Sequence, residues 1–132
     1  MKAALIITGR EIVTGLKRDA LIQPFACELK SCGAEVAEIR VIGDNPDSLW
    51  ATLSELSMQH ELIVVSGGLG ATPDDTTATV IEGLKQRAES CTGIPNAVGS
   101  AQGVDLELGG LRVVFLPGVP RESLAMIKTV AA

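Results

Sequence analysis

A repeated order of strand and helix constrains the fold of this chain more than any other feature of its sequence. Lys2 to Thr8 is an apolar, β-rich run, which is typical of a strand covered on both faces. Apolar residues then recur at helical spacing from Ile22 to Leu29, and Gly33 follows as a natural helix terminus. These two elements are the first of three strand-helix units.

The second and third units follow directly. Glu35 to Ile42 alternates apolar and charged residues, and Asn45 with Pro46 then predicts a helix start. Leu62 to Val65 is a wholly apolar third strand, and apolar residues at helical spacing lie between Val80 and Leu84. Three such units require parallel pairing through right-handed crossovers, with helices on both faces of the sheet.

The last third of the chain breaks this order. Residues 90–103 are rich in Gly, Ser, Asn and Pro and are predicted to be a loop. Val104 to Leu108 and Leu111 to Leu116 predict two strands joined by a hairpin turn at Gly109-Gly110. A closing helix then places three apolar residues inward: Leu124, Ile127 and Val130. We therefore predict one α/β domain over residues 1–132, a three-layer α/β/α sandwich with a mostly parallel mixed sheet.

Composition and charge limit the partners. With two Phe, one Trp and no Tyr, the core must be built from Val, Ile, Leu and Ala. The net charge of −5 argues against a nucleic-acid partner, which normally meets a basic patch. The first apolar run is too short for a signal or membrane segment, and the three cysteines form no C-x-x-C pair. We expect a cytoplasmic protein that binds neither nucleic acid nor membranes.

A glycine-rich turn is the strongest candidate for a binding site. Ser66-Gly67-Gly68-Leu69-Gly70 follows the third strand and precedes a helix, at the edge of the sheet where open α/β folds bind ligands. Glycines allow close backbone approach, and the N–H groups that open a helix hold anions. A tight turn alone would also explain the glycines. No P-loop lysine follows Gly70, and only Gly9 and Gly15 follow the first strand, which excludes both common nucleotide motifs.

Acidic residues lie close to this turn. Thr72 and Pro73 are typical of a helix start, and Asp74 and Asp75 are favourable there without any ligand. Two adjacent carboxylates would repel a bare phosphate, however, so we expect a Mg²⁺-class cation to bridge them to the ligand. Asp44, after the second strand, is either a turn residue or a further carboxylate on the ligand side.

Other charged residues have simpler interpretations. The restricted segment Pro117 to Glu122 ends the last strand and leaves Glu122 in the first turn of the closing helix. We expect Arg10 and Glu11 to pair with each other on the surface, and His60 to face solvent.

Four motifs in order resemble those of a known family. The segment from Ser66 to Thr77 resembles the G-G-L-G-P-T-x-D-D-x-T signature of the competence/damage-inducible protein family, which shares the molybdopterin-binding domain of molybdenum-cofactor biosynthesis proteins. Gly9 to Gly15 resembles the opening G-D-E-x-x-x-G, Val41 to Asn45 resembles V-x-G-D-D, and Pro117 to Glu122 resembles P-G-V-P-x-E. The resemblance extends over nearly the whole chain.

The resemblance implies a three-layer α/β/α fold with a pocket for molybdopterin, an adenylylated relative or another adenine nucleotide. It implies catalytic roles for Asp75 and Asp44 and a divalent metal at Asp74 and Asp75, with dimers or trimers as the common assemblies. The implied ligand-binding residues are Ser66, Gly67, Gly68, Gly70, Thr72, Gly9, Glu11, Pro117, Gly118 and Glu122.

Several departures from the family pattern point to altered substrate recognition. Arg10 stands where the opening has Asp, Ala71 where the signature has Pro, and Leu21 where an Asn is expected. The helical stretch before the last strands is reduced to Lys85 through Gly99. Three functions stay open: a pterin-phosphate binding domain, a metal-dependent pyrophosphatase acting on ADP-ribose or a similar nucleotide, and a binding or regulatory module without catalysis.

Overall fold

The computed structural model describes residues 1–67, 76–99 and 101–131. The described chain forms β1 (Lys2–Thr8), α1 (Arg10–Val13), α2 (Ile22–Ser31), β2 (Glu35–Ile42), α3 (Pro46–Ser57), β3 (Leu62–Ser66), α4 (Thr76–Lys85), β4 (Ser90–Ile94), β5 (Gly103–Leu108), β6 (Leu111–Leu116) and α5 (Pro120–Ala131).

The strands form one sheet in the order β2-β1-β3-β6-β5-β4. β2, β1, β3 and β6 are parallel neighbours, whereas β5 runs antiparallel to both β6 and β4. Leu5 on β1 pairs with Ile39 on one side and Val64 on the other. The predicted mostly parallel mixed sheet is therefore confirmed. The carboxyl ends of its four parallel strands meet at one edge. At this edge the neighbouring strands β1 and β3 lead onward in opposite directions across the sheet, β1 to β2 and β3 to β4.

Two apolar cores cover the two faces of the sheet. On one face, Phe25 of α2 and Ile127 of α5 pack with alternate residues of the central strands. On the other face, Leu53 of α3 and Val80 of α4 pack with the strand residues that alternate with the first set. The three-layer α/β/α sandwich is confirmed. No helix in the described part of the chain is long and apolar enough to cross a membrane.

Side-chain caps fix the start of two helices. The Asn45 side chain accepts hydrogen bonds from the backbone N–H groups of Asp47 (2.8 Å) and Ser48 (3.3 Å), with Pro46 at the first helical position. This start was predicted from the sequence. Asp19 accepts a bond from the Ile22 N–H at 2.9 Å and so fixes the start of α2.

The segment predicted to be a loop before the hairpin is in part a strand, and this prediction was wrong. Ser90–Ile94 forms β4, which pairs antiparallel with β5. β4 lies at the edge of the sheet with four of its five residues exposed, so it lacks the apolar pattern that identifies buried strands. Tertiary pairing decides its conformation. The hairpin at Gly109-Gly110 and the inward face of the closing helix are confirmed.

His60 is buried rather than solvent-facing, with 8% of its surface exposed. Its Nδ1 lies 2.9 Å from the carbonyl oxygen of Leu56, and its Nε2 lies 3.9 Å from a carboxylate oxygen of Glu38. A carbonyl only accepts, so Nδ1 carries the proton. The ring thus donates a hydrogen bond to a carbonyl at the end of α3. This bond was not predicted from the sequence.

Candidate functional site

A cleft of about 390 Å³ opens at the carboxyl edge of the sheet. It is lined by Thr8, Gly9, Arg10, Glu11, Ile12, Lys17, Asp44 and Gly118. Thr8 is the last residue of β1, and the others follow β1, β2 or β6, beside the point where the connections from β1 and β3 diverge. Open α/β sheets bind ligands at this kind of position, and the volume is that of a small-molecule site.

One side of the cleft carries four exposed charged residues, which we call the charged wall: Arg10, Glu11, Lys17 and Asp44. Gly15, with φ of +82°, allows the chain to reverse after the short helix α1. The backbone N–H of Lys17 then donates to the Glu11 carbonyl at 3.0 Å. This reversal brings Lys17 back beside Arg10 and Glu11, although it lies several residues further along the chain.

The expected ion pair between Arg10 and Glu11 does not form. The ion pairs within the described ranges involve other residues, and neither Arg10 nor Lys17 takes part in one. Adjacent residues of a helical turn do not face each other, so Arg10 and Glu11 diverge. Both cations therefore project from the wall without a carboxylate partner in the described part of the chain.

The base of the cleft is a glycine seam, formed by Thr8, Ser66, Gly67, Pro117 and Gly118. Gly67 is buried with φ of +106°, and a Cβ there would lie 2.2 Å from Thr8 Oγ1 and 2.8 Å from the Thr8 carbonyl oxygen. A Cβ on Gly118 would lie 3.2 Å from the Gly67 Cα. The Thr8 hydroxyl donates to the Ser66 carbonyl at 3.0 Å. Glycine is required here because three loops approach backbone to backbone.

Buried hydroxyl groups hold the seam together. The Ser66 hydroxyl donates to the Pro117 carbonyl at 3.2 Å, and the Ser123 hydroxyl donates to the same oxygen. The Thr77 hydroxyl donates to the Gly67 carbonyl at 3.0 Å. These bonds join the ends of β3 and β6 to α4 and α5. The Ser66 hydroxyl, predicted to contact ligand, is thus directed into the protein.

Glu122 lies in the first turn of α5 as predicted, but it is not among the residues that line the described cleft. It is 8% exposed, and its Oε1 accepts a hydrogen bond from Asn96 Nδ2 at 2.6 Å. Asn96 Nδ2 also donates to the Ala101 carbonyl at 2.8 Å. The contact attaches the connection between β4 and β5 to α5. A ligand-binding role for Glu122 stays a prediction.

The structure brings together part of the predicted site. Gly9, Glu11, Asp44 and Gly118 line the cleft, and Ser66, Gly67 and Pro117 lie in the seam at its base. The predictions for Gly68, Gly70, Thr72, Asp74 and Asp75 lie outside the described residues. Within the described ranges, no group of three or more His, Cys, Asp or Glu residues is arranged to hold a metal ion.

Four residues of the cleft lining were not predicted from the sequence: Thr8, Arg10, Ile12 and Lys17. Gly15 could have indicated that Lys17 lies in the cleft, since a glycine just after a short helix marks a chain reversal. Thr8 is the last residue of β1, so its position at the carboxyl edge of the sheet could also have been predicted from the sequence.

Comparison with known proteins places this geometry in a family. The family described as a probable molybdopterin binding domain matches residues 4–132. The chain belongs to this molybdopterin-binding domain family.

Individual relatives are longer proteins. A CinA-like protein from Myxococcus xanthus is 31% identical to this chain over 161 positions, which cover 97% of the chain and 38% of the relative. A CinA-like protein from Thermotoga maritima is 28% identical, with 95% and 39% covered. The chain thus spans well under half the length of these relatives.

Solved structures of other proteins share the fold. The crystal structure of CinA from Thermoplasma acidophilum, described as having unknown function, is 28% identical with a TM-score of 0.86 and covers 98% of this chain and 95% of its own. MoaB from Thermus thermophilus, described as a molybdopterin biosynthesis enzyme, superposes with a TM-score of 0.82 at 19% identity, with 98% and 88% covered. The alignment with the Myxococcus protein is longer than this chain, so that relative contains inserted segments.

Proposed function

We propose that this domain binds a pterin phosphate, molybdopterin or an adenylylated relative, in the handling of the molybdenum cofactor. The observation that carries the proposal is the cleft at the carboxyl edge of the sheet, beside the point where the chain changes direction between β1 and β3, in a member of the molybdopterin-binding domain family. Its volume suits a ligand of that size, and its base is formed by backbone at Gly67 and Gly118.

Each part of the site has a proposed role. Backbone N–H groups after Gly67 and up to Thr72 hold phosphate, since the Gly67 N–H itself donates to the Leu116 carbonyl at 3.0 Å. The absence of side chains at Gly9 and Gly118 allows the ligand to approach the backbone. A Mg²⁺-class cation would be held by Asp74 and Asp75. Glu11 and Asp44, the two carboxylates of the described cleft lining, fit as its neighbours because hard cations prefer oxygen ligands.

The second candidate is a metal-dependent pyrophosphatase acting on ADP-ribose or a similar nucleotide. The L-G-x-T-x-D-D form of the turn slightly favours it, since the biosynthetic enzymes that the chain resembles more often carry G-G-T-G. In such a reaction the cation offsets charge on the transferring group and fixed donors orient it.

The third candidate, a binding module without catalysis, gains support from Leu21. This residue occupies the position where the family pattern has Asn, and it is 4% exposed within the core beneath α2. It therefore contributes packing and has no polar group to offer a ligand. Together with Arg10 it marks the opening segment as changed.

One pair of assays separates the three functions. Release of AMP from ADP-ribose is measured with Mg²⁺, Mn²⁺ or Co²⁺, and binding of molybdopterin is measured by calorimetry. We expect tight molybdopterin binding without turnover of ADP-ribose. Metal-dependent release of AMP would instead select the pyrophosphatase, and absence of binding by either ligand would select the third function.

Asp75→Asn tests the acidic pair in whichever metal-dependent activity the domain shows. We expect that activity to fall at least ~100-fold if Asp75 is a metal ligand or supports one. Asp47→Asn is a matched control, because Asp47 is an exposed acid in the first turn of α3 with no place in the cleft. Unchanged kinetics of Asp75→Asn would leave Asp75 with the role of a favourable helix-start charge.

We also propose that the domain acts in the cytoplasm as a homo-oligomer, a dimer or trimer. Sedimentation of the purified chain tests the assembly. A monomer across the accessible concentration range would contradict it.

A further inference from the structure

The two cations of the charged wall are the least explained groups in the cleft. Arg10 and Lys17 are both exposed, and both line the cleft together with Gly118. Neither forms an ion pair with the rest of the described chain. Four other side chains do lie within ion-pair distance of a carboxylate: Arg40, His60, Lys85 and Arg112. Among the described residues, no carboxylate competes in this way for the two wall cations.

The sequence adds an independent observation about Arg10. The opening motif that the segment resembles carries an acidic residue at this position, and this chain carries a permanently charged base. The chain reversal at Gly15 places a second base, Lys17, in the same lining. The charge that the wall presents to a ligand is thus far less negative than the motif alone implies.

We propose that Arg10 and Lys17 bind the terminal phosphate of the ligand directly, so that this phosphate is held without a bridging divalent cation. The inference rests on the proposed function in placing the ligand in the same cleft. A guanidinium binds two phosphate oxygens at once, and an ammonium adds a compact second charge. A cation at Asp74 and Asp75 then serves a transfer step and is not needed for binding.

The pair of cations also selects a class of ligand. A phosphate monoester carries about two negative charges at neutral pH, whereas a phosphodiester carries one. Two cations in one wall, neither of them paired with a carboxylate of the described residues, match the first of these. The preferred ligand is therefore one that ends in a phosphate monoester, in contrast to one whose phosphate is esterified on both sides.

The test uses ¹⁵N-labelled full-length chain titrated with inorganic phosphate in EDTA at constant ionic strength. We expect saturable shifts of the backbone amide signals of Gly9, Arg10, Lys17 and Gly118. Arg10→Gln and Lys17→Gln should each weaken phosphate binding about tenfold, a modest loss because both side chains are exposed. Dimethyl phosphate, with a single charge, should bind at least about tenfold more weakly than phosphate.

Two further variants control the test. Arg18→Gln removes an exposed cation that follows Lys17 but does not line the cleft, and it should leave phosphate binding unchanged. Arg10→Lys keeps the positive charge but lacks the planar guanidinium that binds two oxygens at once. It should therefore recover part of the phosphate affinity that Arg10→Gln loses. Preserved dispersion of the amide spectrum shows that each variant folds. Equal losses for Arg18→Gln and Arg10→Gln, or no saturable binding in EDTA, would overturn the proposal.

Its failure and that of the proposed function are distinguishable. Molybdopterin binding that requires Mg²⁺ and ignores Arg10→Gln and Lys17→Gln would overturn direct phosphate binding and leave the cleft as the pterin site. Phosphate binding that depends on both cations, in a chain that binds no molybdopterin, would support the inference and reject the pterin.

Discussion

The charged wall and the glycine seam face the same cleft but are built in opposite ways. The wall consists of exposed side chains on a short helix and two loops, with no ion pair between Arg10 and Glu11. The seam is backbone that is buried except at Gly118, held by the hydroxyl groups of Ser66 and Thr77. The comparison teaches that stability and ligand chemistry are carried by different residues of one site.

This division has a physical cause. Loops whose backbones touch must bury their peptide groups, and buried peptide groups need hydrogen-bond partners. In the seam, Thr8 and Ser66 supply such bonds to neighbouring carbonyls. Charged side chains are costly to bury without a partner, so they remain on the solvent side, where they are free to meet a ligand. Substitutions in the two regions should therefore have separable effects.

The largest expected effect is on stability, from Gly67→Ala. The variant places a methyl group against the Thr8 hydroxyl and carbonyl and forces alanine to a φ of +106°. Together these should lower the free energy of unfolding by about 3 kcal/mol. Urea denaturation measures the change. Gly110→Ala is the matched control, because Gly110 also has positive φ but nothing within 4 Å, and it should cost about 1 kcal/mol. Equal losses would show that the close approach at the seam is unimportant.

A smaller loss of stability is expected from Thr77→Val. The substitution keeps the shape of the side chain but removes the donor to the buried Gly67 carbonyl, so unfolding should become easier by about 1 kcal/mol. Thr79→Val makes the same chemical change on the exposed face of α4 and should be close to neutral. Denaturation of both variants under one set of conditions checks the difference. If Thr77→Val left the free energy of unfolding unchanged, the hydroxyl hydrogen bonds would not be what stabilises the seam.

The smallest effect on stability is expected in the charged wall. Asp44→Asn changes an exposed residue after β2, so the free energy of unfolding should stay within about 0.5 kcal/mol of the parent. Removing a carboxylate that faces the same cleft should, by contrast, strengthen phosphate binding in EDTA. Measuring both unfolding and phosphate binding on this one variant shows whether the charged wall affects binding without affecting stability. A large loss of stability from this exposed change would break the comparison.

The sequence predicted the parts of the fold that repeat a simple pattern. The buried central strands and the helix start at Asn45 were confirmed because their signals are local. β4 was missed because an exposed edge strand has no apolar pattern and is defined by its partner β5. His60 was misplaced because its contact with Glu38 forms only once α3 packs beside β2, although its other partner, Leu56, lies only four residues earlier.

The site was predictable only in outline. The position of Gly67 after a buried strand predicted the edge of the sheet at which the cleft lies, and Gly9 and Gly118, predicted to bind ligand, line that cleft. The place of Lys17 depends on a chain reversal, and the contact of Glu122 with Asn96 depends on a connection predicted to be irregular. Side-chain direction in loops is set by tertiary hydrogen bonds, and no local pattern encodes it.

The most direct test of the central claim is a crystal structure of the chain with bound molybdopterin. The account predicts that the ligand phosphate lies in the cleft, within hydrogen-bond distance of Arg10 and next to the backbone at Gly67. A pterin bound instead in the apolar groove beside Trp50 and Arg87, on the face covered by α3 and α4, would contradict it.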